Sequence, residues 1–479
     1  MFVPKDKEPL AKPPEKPEGA EWAPPVKVID TMIYRADGEG FLESGFTHVF
    51  VVPAEGGSPR QLTQGDFDQD GSLSWTPDSA HIVFSANRAP DWEYDPVDGE
   101  VFSIAVETGE LKQLTSRNGP DYGAAVSPDG KHIAYLGFDD REQGYQISLL
   151  YVMNADGSET RQWLTSLDRD VDNISWDRDS QGVYFQYDDH GVRKIGYVDL
   201  RGRMRVVAEG IGGNDLGRPY TSGGFTAARN DVLAFTLNTP HRPADLAVGS
   251  GRGPARQLTH LNEDLFGHKT LGEVRKTTWK SSHDGREIEG WVVTPPDFDP
   301  AKKYPLILEI HGGPFAAYGP NYSTEVQLYA AAGYLVLYAN PRGSTSYGEE
   351  FGNLIHHNYP GNDFDDLMSG VDAVIAEGHV DADNLFVTGG SGGGVLTAWI
   401  VGKTDRFRAA VVAKPVINWT SFALTSDATN FFYKYWFPGY PWDKQEQYWN
   451  RSPLSLAGNV STPTMLLTGE ADYRTPISE

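Results

Sequence analysis

The stretch 385–402, LFVTGGSGGGVLTAWIVG, decides the fold of the second half of this 479-residue chain. Leu385, Phe386 and Val387 predict a short buried strand, and the apolar run 395–401 predicts a helix. Between them, residues 389–393 match the pattern G-x-S-x-G, which is typical of a tight turn from a strand into a helix. Such a turn presents the hydroxyl of its serine at the carboxyl edge of a sheet. The stretch therefore predicts that Ser391 is a nucleophile.

The sequence on both sides of this turn alternates between apolar strands and helices. Predicted strands lie within 304–313, 333–340, 408–415 and 464–470, with helices predicted over 323–332 and 363–377. Continuous apolar strands that alternate with helices indicate a parallel sheet covered on both faces. Residues 267–479 are therefore predicted to form an α/β-hydrolase domain, which begins near 267–274.

The first half of the chain carries a repeat instead. A turn followed by a strand recurs as SWTPDSAHIVFSA (74–86), AVSPDGKHIAYLG (125–137) and SWDRDSQGVYFQY (175–187). The turn aspartates Asp78, Asp129 and Asp179 are 51 and 50 residues apart and are predicted to cap turns rather than catalyse. A period near 50 with about four strands per unit is typical of β-propeller blades.

These patterns predict a multidomain β and α/β protein. Residues 1–27 form a Pro-rich lead-in, and 28–266 form four to five TolB/WD-like propeller blades. That number permits a small propeller, and it also permits a larger one that has lost its first blades.

Composition excludes several classes of partner. The chain has 66 Asp and Glu against 41 Lys and Arg, a net charge of −25, which disfavours nucleic acid and anionic membranes. There is no Cys and no apolar stretch long enough for a membrane span. No metal site or cofactor is predicted. The N-terminus lacks the apolar segment of a signal peptide, so the chain as written is predicted to be cytoplasmic. If the parent protein has lost its N-terminus, an exported protein is the alternative.

Acyl transfer on Ser391 needs donors for an oxyanion and an acid for a triad. The N–H of Gly392 follows the serine, and the loop His311-Gly312-Gly313-Pro314 follows a predicted strand and supplies Gly313 as the second donor. His311 itself is predicted to be structural. Asp472 follows the last predicted strand and is preferred over Glu470 as the acid.

Taken together, the SPDG turns, HGGP, NPRGSTSYG (340–348), GGSGGG and GEADYRTP resemble the prolyl oligopeptidase family of serine peptidases, and most closely its acylaminoacyl-peptidase and dipeptidyl-peptidase branch. The resemblance implies Ser391 as nucleophile, Asp472 as acid, and a propeller that admits only short peptides. In one branch a tyrosine spaced like Tyr322 serves the oxyanion hole, so Tyr322 is either a third donor or a packed aromatic residue. The resemblance also implies a hydrophobic pocket, for which the candidates are Trp419, Phe431, Phe432, Tyr435, Trp436 and Phe437.

The sequence departs from the family in one respect, because none of its twelve histidines follows Ser391. The triad histidine, a last strand and a closing helix are therefore predicted to be missing, as in a fragment. Loss of this base lowers kcat by about 10⁶, so the chain is predicted to be nearly inactive. His356 or His357 is an unfavoured substitute for the missing base.

An esterase and a non-catalytic binding module are the alternative functions, and assembly into a homo-oligomer stays open.

Overall fold

The computed structural model describes residues 1–5, 14–23, 26–69, 71–228, 230–250 and 253–479. Short paired strands open the chain, and β1 pairs with β4 although it lies in the predicted lead-in. The rest of that lead-in contains no described strand, and residues 6–13, 24 and 25 lie outside the described residues. The strands are β1 (Phe2–Pro4), β2 (Arg35–Ala36), β3 (Gly40–Phe41), β4 (Gly45–Thr47), β5 (Phe50–Val51) and β6 (Arg60–Gln61).

The first two predicted repeats contribute to separate four-stranded antiparallel blades, A and B, and the third contributes to blade C, which shares an eight-stranded antiparallel sheet with blade D. Blade A has β7 (Ser74–Trp75), β8 (His81–Ala86), β9 (Glu100–Ala105) and β10 (Leu111–Gln113). Blade B has β11 (Asp121–Val126), β12 (His132–Gly137), β13 (Leu149–Asn154) and β14 (Arg161–Gln162). Blade C has β15 (Asp172–Trp176), β16 (Gly182–Asp189), β17 (Val192–Asp199) and β18 (Met204–Ile211). Blade D has β19 (Phe225–Ala227), β20 (Leu233–Thr239), β21 (Arg242–Gly249) and β22 (Arg256–Gln257).

The turn aspartates cap their own turns in the first two repeats. Asp78 accepts a hydrogen bond from the N–H of Ala80 at 3.0 Å, and Asp129 accepts one from the N–H of Lys131 at 3.1 Å. The third repeat differs from the prediction. There the N–H of Gln181 donates to Asp177 rather than to Asp179. The repeated aspartates therefore stabilise turns between strands, which is the role expected of an Asx turn.

A seven-stranded sheet forms the second domain, in the order β23-β24-β26-β25-β27-β28-β29. Its strands are β23 (Val274–Lys280), β24 (Glu287–Val293), β25 (Tyr304–Ile310), β26 (Leu335–Asn340), β27 (Val380–Gly390), β28 (Ala409–Ala413) and β29 (Thr464–Leu467). The strands from β25 to β29 are parallel, and β24 pairs antiparallel with both β23 and β26. The parallel strands that the sequence predicts are therefore present.

Helices connect these strands and cover the sheet. They are α1 (Glu263–Phe266), α2 (Thr324–Ala331), α3 (Glu349–Asn353), α4 (Asp363–Ala376), α5 (Gly392–Lys403), α6 (Trp419–Thr425), α7 (Thr429–Tyr435), α8 (Gln445–Arg451) and a 3₁₀ helix (Pro453–Asn459). Leu308, Leu337 and Val371 are among the fully buried residues of the core between sheet and helices. No helix of the described residues is apolar over enough length to cross a membrane.

Candidate active site

Ser391 lies at the turn between β27 and α5, where the backbone is strained. Its φ is 57° and its ψ is −121°, a conformation that non-glycine residues rarely adopt. The N–H of Ser391 donates to the carbonyl of Ala413 at 3.0 Å, and its carbonyl accepts from Val395 at 3.0 Å. The serine is therefore fixed by the neighbouring strand and by the first turn of α5, as the G-x-S-x-G pattern requires.

The flanking glycines leave no room for a side chain. A Cβ on Gly393 would lie 2.1 Å from the carbonyl oxygen of Ile310, and one on Gly389 would lie 2.5 Å from that of Gly393. The first turn of α5 consequently packs directly on the end of β25. This packing brings the turn at Ser391 beside the loop that follows β25.

That loop carries the predicted oxyanion donors. A Cβ on Gly392 would lie 2.9 Å from the carbonyl carbon and oxygen of Gly313, so these two glycines are in contact. Among the described residues, neither the N–H of Gly392 nor that of Gly313 has a hydrogen-bond acceptor. The two donors are therefore adjacent and unused, although their role in oxyanion binding stays a prediction.

His311 is buried behind this loop. Burial lowers the pKa of His311 to about 4, so the ring is neutral at neutral pH. Its Nδ1–H donates to the carbonyl of Gly312 at 2.7 Å, and its Nε2 lies 2.8 Å from the hydroxyl of Ser344. These contacts give His311 a structural role in holding the loop.

Asp472 lies in the loop after β29. Its carboxylate accepts from the N–H of Thr475 at 2.7 Å and from the hydroxyl of the same residue at 3.0 Å. No hydrogen bond among the described residues joins Asp472 or the Ser391 hydroxyl to a histidine. The structure thus places Asp472 in its predicted loop, and its role as the triad acid stays a prediction.

Tyr322 is buried and packs against α1. Its ring lies edge-on to Phe266 at 5.1 Å, and its hydroxyl accepts a 3.4 Å hydrogen bond from Thr324. None of these contacts involves Ser391, Gly392 or Gly313, so the structure does not bring Tyr322 together with the other predicted site residues. Its role as a donor stays a prediction.

An aromatic cavity adjoins the glycine loop. Three of the six predicted pocket residues, Tyr435, Trp436 and Phe437, line it together with Phe315 and Tyr359. The Tyr359 hydroxyl donates to the carbonyl of Gly392 at 2.7 Å, which links this cavity to the turn that carries the serine. The other predicted residues pack in or against the core; they are Trp419, Phe431 and Phe432.

His356 and His357 also line this cavity, and their rings stack at 3.8 Å. Burial lowers the pKa of both, that of His357 to about 4. Neither ring has a hydrogen bond to Ser391 within the part of the chain that the structure describes. Both are therefore neutral aromatic neighbours of the cavity.

Two residues of the propeller domain, Tyr220 and Arg218, lie at this site although no motif in the sequence marks them. The hydroxyl of Tyr220 accepts a 2.6 Å hydrogen bond from the N–H of Gly312. Arg218 reaches Gly390, where an added Cβ would lie 2.8 Å from its Nη1. Both follow β18 in a loop without a recognisable motif, which is why sequence analysis overlooks them.

Comparison with known families agrees with this arrangement. Residues 320–479 match the model of the prolyl oligopeptidase family, and residues 35–140 match the N-terminal region of dipeptidyl peptidase IV. The uncharacterized peptidase YuxL of Bacillus subtilis is 34% identical over 96% of this chain and 82% of its own length. Dipeptidyl-peptidase 5 of Porphyromonas gingivalis is 27% identical over 87% of this chain, which spans 61% of that relative.

Solved structures show the same fold. An acylaminoacyl peptidase in complex with Z-Gly-Gly-Phe-chloromethyl ketone superposes with a TM-score of 0.81 at 26% identity, over 94% of this chain and 68% of that protein. The uncomplexed acylaminoacyl peptidase of Pyrococcus horikoshii gives 0.80 at 26% identity, over 94% and 69%. The prediction of propeller blades followed by an α/β-hydrolase domain is confirmed.

Proposed function

The chain belongs to the prolyl oligopeptidase family, and on that premise we propose that it provides the catalytic serine of a peptidase that hydrolyses short peptides. The observation that carries this proposal is the strained turn at Ser391, where Gly392 and Gly313 are in contact and the N–H group of each is unused. A strained serine between a strand and a helix has no structural purpose that glycine would not serve better. The strain is consistent with a nucleophile held ready for attack.

In the proposed reaction the Ser391 hydroxyl attacks the carbonyl carbon of the scissile bond. The developing oxyanion accepts hydrogen bonds from the N–H groups of Gly392 and Gly313, which are fixed before the reaction. An imidazole takes the proton of Ser391 and returns it to the leaving amine, and Asp472 orients that imidazole. Water then hydrolyses the acyl-enzyme by the same steps.

The base is the missing member of this arrangement. No histidine follows Ser391 in the 479 residues, and among the described residues the stacked His356 and His357 make no hydrogen bond to it. We therefore propose that these 479 residues alone turn over peptides very slowly. Removal of the triad histidine from a serine protease lowers kcat by about 10⁶.

The propeller is proposed to restrict the substrate to short peptides. Blade B approaches the aromatic cavity, since Gly144 lines it and Tyr145 stacks on Phe315 at 5.8 Å. A blade in this position is expected to admit short or unfolded peptides more easily than folded proteins.

The test is labelling with a fluorophosphonate probe, with and without added imidazole, in the wild-type chain and in Ser391→Ala. We expect slow labelling that imidazole accelerates and that the alanine variant abolishes. Labelling that persists in Ser391→Ala, or none in a folded wild-type chain with imidazole, would overturn the proposal. Rapid labelling without imidazole would show that a base reaches Ser391 within these residues.

A comparison of ester with aminoacyl-anilide turnover in imidazole addresses the esterase alternative. Turnover of the ester alone would favour an esterase. A chain that binds peptides but reacts with neither substrate would favour a non-catalytic binding module.

A further inference from the structure

A loop of the propeller reaches into the hydrolase domain next to the nucleophile. Segment 216–221, which follows β18, makes backbone hydrogen bonds to residues 317–324, which follow β25 and include the first residue of α2. Its carbonyl groups at Leu216 and Pro219 accept from Thr324 and Gly319 at 2.8 Å each, and its N–H at Thr221 donates to Ala317 at 3.0 Å. The segment is therefore built into the hydrolase domain rather than resting on its surface.

Arg218 anchors this segment by charge. Its Nε lies 3.0 Å from the carboxylate of Glu325 and 3.3 Å from that of Glu309, which is completely buried. One guanidinium thus bridges two acidic residues of the other domain. Loss of this guanidinium would leave the Glu325 carboxylate without its cation and the buried Glu309 carboxyl with a hydrogen bond from Tyr318 alone, so the contact resists displacement.

Tyr220 uses this anchored position to contact the oxyanion loop. Its hydroxyl accepts the N–H of Gly312 at 2.6 Å, and its ring packs edge-on against Tyr318 at 4.7 Å. A Cβ on Gly312 would lie 3.1 Å from this hydroxyl and 3.3 Å from the Cβ of Ser391. The phenol oxygen, the loop and the nucleophile therefore share one small volume.

Gly312 is held at both ends. The ring of His311 donates to its carbonyl at 2.7 Å, while Tyr220 accepts from its N–H. The carbonyl of Gly312 and the N–H of Gly313 belong to one planar peptide unit, so fixing the first fixes the direction of the second. Tyr220 holds the preceding peptide unit, between His311 and Gly312, so the two contacts together restrict the backbone on both sides of Gly312.

We propose that Tyr220 is a positioning residue of the propeller domain that aligns the oxyanion loop with Ser391, an inference that rests on the proposed function. The propeller then completes the catalytic geometry as well as limiting access. Displacement of a reacting group by about 1 Å can cost about a hundredfold in rate. A modest shift of the Gly312–Gly313 peptide therefore has a measurable effect.

The test compares Tyr220→Phe with Tyr197→Phe. The control loses a similar 2.7 Å hydrogen bond, to Asp177, within blade C. Two quantities are measured in each folded full-length variant: amide hydrogen exchange of the peptide that contains Gly312, and the fluorophosphonate reaction of Ser391 in imidazole. The reaction is resolved into probe affinity and maximal rate.

We expect Tyr220→Phe to speed exchange at Gly312 and to lower the maximal labelling rate about tenfold or more, with probe affinity unchanged. Tyr197→Phe is expected to change neither quantity. Unchanged exchange at Gly312, or faster exchange with an unchanged labelling rate, would overturn the inference. If even the wild-type chain fails to label, the proposed function fails. Amide hydrogen exchange at Gly312 then decides by itself whether Tyr220 holds this loop.

Discussion

At the scale of single residues, the site depends on positions where no side chain fits. Gly393 packs against the end of β25, and the backbone at Ser391 adopts a rare conformation to face outward. Strain of this kind persists only where the surrounding structure determines it. Here the strand on one side and the first turn of α5 on the other supply that constraint.

We predict that Gly393→Ala damages the site and the fold together. The added Cβ would lie 2.1 Å from the carbonyl oxygen of Ile310, so the backbone has to move. Overpacking of this kind costs about 3 kcal/mol. The expected result is a lower melting temperature and lost labelling of Ser391.

The matched control is Gly458→Ala, where a Cβ meets nothing within 4 Å. This variant is expected to keep both the melting temperature and the labelling rate of the wild type. Equal behaviour of the two variants would contradict the packing argument.

At the scale of elements, β29 is the exposed edge of the sheet. It pairs with β28 on one side, and all four of its residues are exposed. Three of them are large and apolar: Met465, Leu466 and Leu467, with exposed fractions of 58%, 66% and 53%. An apolar edge strand offers unpaired backbone groups to other chains, so it favours association.

We predict that Leu466→Lys reduces self-association of the chain. A lysine on an edge strand opposes pairing with a second strand. The folded state is little affected, by about 0.5 kcal/mol or less, because the leucine is exposed. Light scattering at increasing concentration measures the effect.

Leu261→Lys is the control, since Leu261 is equally exposed at 67% but lies in no strand. It adds the same charge and is expected to leave association unchanged. An equal reduction in both variants would assign the effect to net charge rather than to the edge.

At the scale of the whole molecule, a partly buried cluster of ionisable groups joins the two domains. Arg218 of the propeller contacts both Glu309 and Glu325 of the hydrolase domain, so two carboxyl groups share one guanidinium. Burial raises the pKa of Glu309 to about 8, although Arg218 acts in the opposite direction. Glu309 is therefore the member of the cluster that keeps a proton.

We predict that Glu309 makes the molecule less stable as the pH rises. In the unfolded chain this carboxyl ionises near its ordinary pKa of 4.5, whereas in the folded chain it ionises only near 8. Between pH 4.5 and about pH 8 the Glu309 carboxyl is protonated in the folded chain and ionised in the unfolded chain. The contribution of Glu309 to the free energy of unfolding therefore falls as the pH rises through this window. The variant Glu309→Gln removes the ionisation.

Thermal unfolding of both proteins from about pH 5 to about pH 8 checks this expectation. The wild-type melting temperature should fall more steeply than that of Glu309→Gln. Glu446→Gln, at an exposed position, should follow the wild type. A wild-type slope equal to or shallower than that of Glu309→Gln would mean that Glu309 is ionised in the folded chain.

Local patterns in the sequence predict most of the fold. The repeat near 50 residues predicts the blades, and apolar runs predict the parallel strands, because each pattern reflects the burial of one element's own residues. The turn at Ser391 is likewise encoded within five consecutive residues. Its position next to Gly313 follows once β25 and β27 are neighbours in the sheet.

The tertiary structure alone decides how the propeller takes part in the site. Tyr220 and Gly312 are 92 residues apart, and no periodicity or motif marks a loop whose partner lies in another domain. Tyr322 shows the opposite case, because its spacing suggests the site while its ring packs against Phe266. The sequence by itself determined the elements and the turn that carries the predicted nucleophile, since those depend on neighbours along the chain. Contacts between domains join residues that are far apart in the sequence, and they depend on how the surfaces of the two folded domains pack together. Only the folded molecule specifies that packing.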